Sequence, residues 1–260
     1  MRQFGIIGRP LGHSASARHF TAKFQNEGLD CHFEQYELPS IEALPELLER
    51  VPLEGFNVTI PYKQAVIPYL DELSDSARTI GAVNAIVNRN GRLCGYNTDY
   101  SGFLYTLHQN NITVTGQKVL VLGNGGAAKA VVAALASLSP RELITVKYKE
   151  EPGVITYEQA ALLHQDADLV VNTSPVGMFP NVDVSPMDLT PYPQLKAVVD
   201  IIYNPSVTKL MAQAKERGIP AVNGLEMLVA QAKYAVELFL DQTIPDTEIQ
   251  TILHRLFADR

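Results

Sequence analysis

Apolar residues along this chain fall into two alternating rhythms, short strand-like runs and longer stretches at helical spacing. Residues 3–8 form a short apolar run and predict a strand. Ala17, Phe20 and Phe24 follow at helical spacing and predict a helix over 14–28, with Gly28 as its stop. Alternation over 31–38 predicts a second strand. Ile41, Leu44, Leu47 and Leu48 predict a helix over 40–50 with Ser40 as its N-cap. Residues 55–60 read as a strand ended by Pro61, a residue that also suits the first position of a following helix. Residues 82–87 and 92–96 flank Asn90-Gly91, a hairpin signal because both turn residues tolerate positive φ.

A second unit opens near Gln117. Residues 118–122 predict a buried strand that runs through a glycine-rich segment into a helix reaching about Leu138. Further short apolar strands are predicted over 143–146, 169–172, 197–201 and 220–222, with helical stretches between some of them, notably 207–217. Strands alternating with helices imply a parallel sheet covered on both faces, hence an α/β fold. A last helix over 225–240 is apolar on one face and is placed back against the first unit.

Composition narrows the function. The 260 residues suit one large domain or two small ones at about 150 residues per domain. Lysine plus arginine is 21 against 28 aspartate plus glutamate, a formal charge of −7. That argues against a nucleic-acid partner, whose phosphates call for a cationic surface. Hydrophobic residues make up 46%, enough for a sizeable core and against disorder. No apolar run approaches the roughly 18 residues of a membrane span, and the first eight residues are too short and glycine-broken for a signal peptide. Cys31 and Cys94 form neither a metal-ligand spacing nor a disulfide framework. No metal is expected, and a reducing cytoplasm is the expected compartment.

Gly123-Asn124-Gly125-Gly126-Ala127-Ala128 fits the dinucleotide pattern through Gly123, Gly125 and Ala128. The first glycine permits a tight turn, and the second lets backbone approach a pyrophosphate seated on the helix N-terminus. Its place between a strand and a helix is the context the pattern needs. The ribose-reading position falls about 20 residues on, at Lys147-Tyr148-Lys149. No acid stands there for a ribose hydroxyl, and two lysines suit a 2′-phosphate, which favours NADP over NAD. The other reading is an ordinary solvated strand end, and Glu150 and Glu151 follow at once and blur the signal.

Polar residues cluster in the first unit. Ser14 and Ser16, beside His13, lie at a helix N-terminus, where they make either an anion site or a simple cap. Asn57 and Thr59 share one face of a strand. Lys63 follows in the first turn after Pro61, where a cation is poorly placed for the helix dipole. Such local conflict is expected where function overrides stability. Asp99 is a natural N-cap for the helix carrying Phe103, Leu104 and Leu107, or a partner that orients Lys63 as an acid/base group. Asn84 is equally a structural hydrogen-bonder or a ligand.

In order along the chain, Gly8-Arg9-Pro10-Leu11-Gly12-His13-Ser14-Ala15-Ser16, Gly55-Phe56-Asn57-Val58-Thr59-Ile60-Pro61-Tyr62-Lys63, Gly81-Ala82-Val83-Asn84 and Gly95-Tyr96-Asn97-Thr98-Asp99-Tyr100-Ser101-Gly102-Phe103 form one set with the Gly123 loop. Asn172-Thr173-Ser174-Pro175-Val176-Gly177-Met178, Asp200-Ile201-Ile202-Tyr203-Asn204-Pro205, Asn223-Gly224-Leu225-Glu226-Met227-Leu228 and Gln231-Ala232 complete it. Together these segments resemble the shikimate dehydrogenase family over nearly the whole chain. The resemblance implies two α/β domains separated by a cleft: a substrate-binding domain over 1–104, completed by C-terminal helices over 225–260, and a Rossmann-type NADP-binding domain over 105–224. It implies reversible NADPH-dependent reduction of 3-dehydroshikimate to shikimate, a step toward chorismate and the aromatic amino acids, by a monomer or homodimer with no membrane partner. Ser14 and Ser16 would bind the substrate carboxylate. Asn57, Thr59, Asn84 and Gln231 would hold its polar groups, and Tyr203 would lie beside it. Lys63 and Asp99 would be the catalytic pair, with Lys63 at the reacting oxygen. Gly123, Asn124, Gly125, Gly126, Ala127, Lys147, Tyr148, Lys149, Thr173, Ile201 and Gly224 would line the cofactor, with Ile201 a wall and Gly224 at the nicotinamide.

Three positions depart from the family's pattern. Ala17 stands where a proline is usual, and Ala85 where a threonine is usual. Lys147-Tyr148-Lys149 replaces an Asn-Arg-Thr segment, so the arginine that would meet the adenine and the 2′-phosphate is missing. An NAD-using quinate/shikimate dehydrogenase is the alternative on the same fold, and a non-catalytic dinucleotide-responsive protein is the alternative of another class.

Overall fold

The apolar runs become the strands of two six-stranded sheets. The computed structural model describes residues 1–12 and 28–257, so the helix expected over 14–28 lies outside the described residues, with His13, Ser14 and Ser16. The described chain divides into two compact units. One takes in the residues up to Gly102 and those from Leu228 on, and the other runs Phe103–Met227.

The first unit opens with β1 (Arg2–Gly8), β2 (Cys31–Glu37), α1 (Leu44–Arg50), β3 (Leu53–Val58) and the single turn α2 (Tyr62–Ala65). It continues with β4 (Glu72–Leu73), α3 (Asp75–Ile80), β5 (Ala85–Arg89), β6 (Arg92–Tyr96) and the start of α4 (Thr98–Gln109). The sheet order is β2-β1-β3-β5-β6-β4. It is mixed, not wholly parallel: β2, β1 and β3 run parallel, whereas β5 pairs antiparallel with both β3 and β6. The reversal between β5 and β6 comes from the hairpin, where Asn90 and Gly91 have φ of 56° and 88°.

Two stretches differ from the sequence expectation. The stretch 40–50 is a 3₁₀ turn, Ile41–Ala43, followed by α1, and the Ser40 side chain makes no capping bond. Pro45 explains the break, because it lacks an N–H and fits only the first turn of an α-helix. Residues 82–84 precede the strand rather than belonging to it, since the Val83 N–H donates to the Lys63 carbonyl at 2.7 Å.

Alternation along β1 sends Phe4 and Ile6 to one face of the sheet and Ile7 to the other. Phe4 and Ile6 pack with Phe33, Ala85 and Val87 against Ala232, Ala235, Val236 and Phe239 of α8 (Leu225–Leu240). Gly55 allows this contact, because a Cβ there would stand 2.6 Å from the Phe239 ring. The opposite face holds Ile7, Leu44, Leu47, Phe56 and Val58. A final helix, α9 (Thr247–Phe257), is tied back to α8 by Lys233, which is 3% exposed and pairs with Glu237 and Asp246 at 2.8 Å each.

The second unit contains β7 (Lys118–Leu122), α5 (Gly126–Ser137), β8 (Glu142–Lys147), β9 (Val154–Thr156), α6 (Tyr157–Leu163) and β10 (Leu169–Asn172). After these come β11 (Ala197–Asp200), α7 (Lys209–Glu216) and β12 (Ala221–Val222). The order β12-β11-β10-β7-β8-β9 is parallel throughout, and β7, β10 and β11 are buried along their lengths. From β7 the chain moves outward through β8 and β9, then returns to lay β10 on the other side. This reversal is a topological switch point, where open parallel sheets bind ligands beyond the carboxyl ends of their strands. Among the described residues, no helix is long and apolar enough to cross a membrane and no acid, His and Cys group is placed to hold a metal ion.

Candidate active site

The first unit also has a switch point, between β1 and β3, and its polar residues gather beyond it. Lys63 sits in α2, fixed from both sides. Its carbonyl accepts from Val83, and the neighbouring Tyr62 hydroxyl donates to the Leu38 carbonyl at 2.8 Å. Its Nζ lies 2.6 Å from Asp99 Oδ2, and the two side chains are 15% and 7% exposed. The expected dipole conflict does not arise, because a single turn has almost no macrodipole to oppose a cation.

Asp99 is not the helix cap. Asn97 takes that role: its Oδ1 accepts from the Tyr100 N–H at 3.2 Å, and its Nδ2 donates to the Ala82 carbonyl at 3.0 Å. With the cap supplied by Asn97, the Asp99 carboxylate is left for Lys63, while its place in the first turn of α4 still suits a negative charge.

Asn84 is a buried junction. Its Oδ1 accepts from the Thr98 N–H at 2.7 Å, and its Nδ2 donates to Thr98 Oγ1 at 2.9 Å and to Gln231 Oε1 at 3.4 Å. The Asn84 carbonyl accepts from Asn57 Nδ2 at 3.2 Å. Asn57, Asn84, Thr98 and Gln231 therefore form one network from β3, the loop before β5, α4 and α8, and the part played by Thr98 was not foreseen. Asn57 Oδ1 is buried without a hydrogen-bond partner among the described residues. An orphaned buried acceptor is costly and marks a place for an incoming donor. Thr59 stands half-buried just beyond β3, its N–H on the Ile7 carbonyl at 2.9 Å and its methyl against Gly8, where a Cβ would overlap it.

In the second unit the glycine loop joins β7 to α5 at the switch point. Gly123 has φ of +102°, and a Cβ on it would meet Thr173 Oγ1 at 3.0 Å and Ser174 N at 3.3 Å. Gly125 is the N-cap of α5, with nothing within 4 Å of where its Cβ would be. The loop thus offers bare backbone, open space and free helix N–H groups, which fit a dinucleotide pyrophosphate. Gly224 lies against Ile201 so closely that a Cβ would overlap the Ile201 backbone, and its N–H donates to the Ile202 carbonyl at 3.0 Å. Gly123 and Thr173 are brought together, as are Ile201 and Gly224. Tyr203 follows on the same segment, half-buried.

These loops are shaped by a buried pair to which the sequence assigned no role of its own. Asn172 and Asp200 are register partners at the ends of β10 and β11, and both are fully buried. Asn172 Nδ2 donates to Asp200 Oδ1 at 3.0 Å, Thr208 Oγ1 donates to Asp200 Oδ2 at 2.7 Å, and the Ile202 N–H donates to Asp200 Oδ1 at 3.1 Å. Burial pushes the Asp200 carboxyl up to about 6, and the three donors only partly offset it. An acid whose folded pKa is raised binds more protons folded than unfolded between about pH 4 and 6, so its contribution to stability falls as pH rises through that window. Wild type should lose about 2–3 kcal/mol relative to Asp200→Asn between those pH values, measured by urea unfolding. A difference independent of pH would contradict the assignment.

At the end of β8, the two lysines are not both unpaired. Lys147 Nζ pairs with Glu151 Oε1 at 2.6 Å, and Glu151 Oε2 accepts from Asn124 Nδ2 at 3.0 Å. Lys149 is exposed, and Tyr148 is 68% exposed with its ring 5.1 Å from that of Tyr157.

Comparison with known proteins supplies the remaining facts. Residues 6–86 match the shikimate dehydrogenase substrate binding domain. The shikimate dehydrogenase (NADP(+)) of Bacillus cereus strain B4264 is 36% identical over 258 residues, covering 92% of this chain and 93% of the relative. That of Clostridium beijerinckii is 36% identical over 271 residues, covering 100% and 99%. Among solved structures, the shikimate 5-dehydrogenase of Thermus thermophilus in complex with NADP(H) and shikimate is 31% identical, with a TM-score of 0.86 over 98% of this chain and 99% of that one.

Proposed function

This chain belongs to the shikimate dehydrogenase family, and from that premise we propose that its first unit binds shikimate, its second unit binds NADP, and Lys63 with Asp99 manages the proton of the reaction. The activity is the reversible NADPH-dependent reduction of 3-dehydroshikimate to shikimate. The observation that carries the reading is the Lys63–Asp99 pair, nearly buried and held at 2.6 Å by two independently fixed backbone segments.

The nicotinamide, when bound, supplies or accepts the hydride at the ring carbon that bears the reacting oxygen. As that carbon takes up hydride, the carbonyl oxygen gains charge and needs a proton. The Lys63 ammonium gives one: an N–H bond breaks, an O–H bond forms, and a neutral amine remains. In the other direction the amine takes the hydroxyl proton. Asp99 points the lysine and offsets its charge. Ser14 and Ser16 bind the substrate carboxylate, and Thr59, Asn57 and Gln231 hold its hydroxyls, with Asn57 Oδ1 accepting from one of them. Asn84 holds Gln231 and Thr98 in place beside these contacts, and Tyr203 is a further substrate-side residue. On the cofactor side, Gly123, Asn124, Gly125, Gly126 and Ala127 take the pyrophosphate. Thr173, Ile201 and Gly224 border the nicotinamide half, and Lys147, Tyr148 and Lys149 the adenosine half. The cytoplasm is the proposed compartment.

Thermal unfolding tests the division of labour. Shikimate alone and NADP+ alone, each at about 100 times its Kd, should each raise Tm by roughly 5–10 °C. Gln231→Leu should abolish the shikimate shift and keep the NADP+ shift. Loss of both or neither would overturn the placement of the substrate in the first unit.

A further inference from the structure

The family pattern offers no acid at the end of β8, yet the fold brings one there. After Lys147 the chain runs out through Tyr148, Lys149 and Glu150 and turns back at Gly153, whose φ is +77°. Glu151 bridges to Val154, and the Val154 N–H donates to the Glu151 carbonyl at 2.9 Å. This turn puts the Glu151 carboxylate between the glycine loop and the end of the second strand of the sheet, bonded to Asn124 on one oxygen and Lys147 on the other. In dinucleotide-binding folds an acid in this place accepts from the ribose 2′-hydroxyl, and a cation there meets a 2′-phosphate. Here both charges occupy it, paired with each other.

We propose that Glu151 determines 2′-phosphate discrimination: paired with Lys147 it receives the free ribose of NAD, and it must release Lys147 for the 2′-phosphate of NADP. The inference rests on the nucleotide site assigned above. The pair can open readily, because its side chains are 33% and 42% exposed and such pairs are weak. A phosphate dianion beside an unmoved Glu151 would face a like charge, with one of its two lysines already neutralised. The chain therefore accepts both cofactors, and the strength of the Glu151–Lys147 contact sets the ratio.

The test is calorimetric titration of the full chain with two fragments, adenosine 2′,5′-bisphosphate and adenosine 5′-monophosphate. Glu151→Gln should tighten the bisphosphate by roughly fivefold, the most an exposed pair is worth, and leave the monophosphate unchanged or weaker. Adding Lys147→Met to Glu151→Gln should cancel the gain. If both fragments bind and Glu151→Gln leaves their ratio unmoved, or tightens both equally, the role of Glu151 is overturned and the nucleotide site stands. If neither fragment binds the folded wild-type chain, the nucleotide site itself falls, and the inference with it.

Discussion

Lys63→Ala lowers kcat by about 10²–10⁴-fold and leaves the Kd for shikimate within a few-fold, as expected of a group that moves a proton in the transition state more than it binds the ground state. The geometry explains why the loss should be in turnover. Lys63 is held through its carbonyl by Val83 and through its Nζ by Asp99, so its position is set before substrate arrives. The network that holds the substrate's other groups, Asn57, Asn84, Thr98 and Gln231, has bonds of its own and does not run through Lys63. Removing the amine leaves the Asp99 carboxylate nearly buried without its ion pair, so a stability loss is also expected and should be measured beside the kinetics. Turnover near wild type in a folded variant would end the proton-transfer role. A rise in KM alone, with kcat kept, would make Lys63 a binding residue only.

Gly123→Ala weakens NADP+ binding by at least about tenfold and leaves shikimate binding unchanged. Alanine at φ +102° is strained by about 1–3 kcal/mol. The new Cβ would crowd Thr173 Oγ1, which is itself committed to the Leu122 carbonyl at 2.7 Å, and the Ser174 backbone. Neither neighbour is a flexible chain end, so the strain passes into the two loops at the switch point. Gly116→Ala is the control. That residue has φ +72° with nothing within 4 Å, so it carries backbone strain away from the loop and should cost stability without affecting NADP+ affinity. Calorimetry on both variants decides the matter. Equal NADP+ affinity in wild type and Gly123→Ala would remove the cofactor from the β7–α5 loop.

Elements with a strong internal period were readable from sequence. The β7 run, the helix after it and the helix over 225–240 have apolar positions dense enough to declare themselves, and the Asn90-Gly91 turn declares the hairpin. Short elements escaped: β4 has two residues and β9 three, too few for alternation to register. The helix α6 was also passed over, although Thr156 and Gln159 form a capping box in the structure and stand at the spacing that announces one. At the site, Lys63 and Asp99 were legible as a pair, but Asp99 was given the cap that Asn97 makes. Both residues suit that role chemically, and only the backbone register of α4 separates them. The roles of Glu151, noted in the sequence only as blurring the lysine signal, and of Asp200, noted only within a family segment, were missed for another reason. Each depends on a partner far along the chain, Asn124 for Glu151 and Asn172 for Asp200, and no local period reports such contacts.

The most direct test of the central claim is nicotinamide reduction followed by absorbance, with purified chain offered shikimate or quinate, each with NADP+ or NAD+. Turnover should be fastest with shikimate and NADP+, slower with shikimate and NAD+, and lost with both in Lys63→Ala. Folded protein that binds nucleotide yet turns over none of the four combinations would contradict that claim.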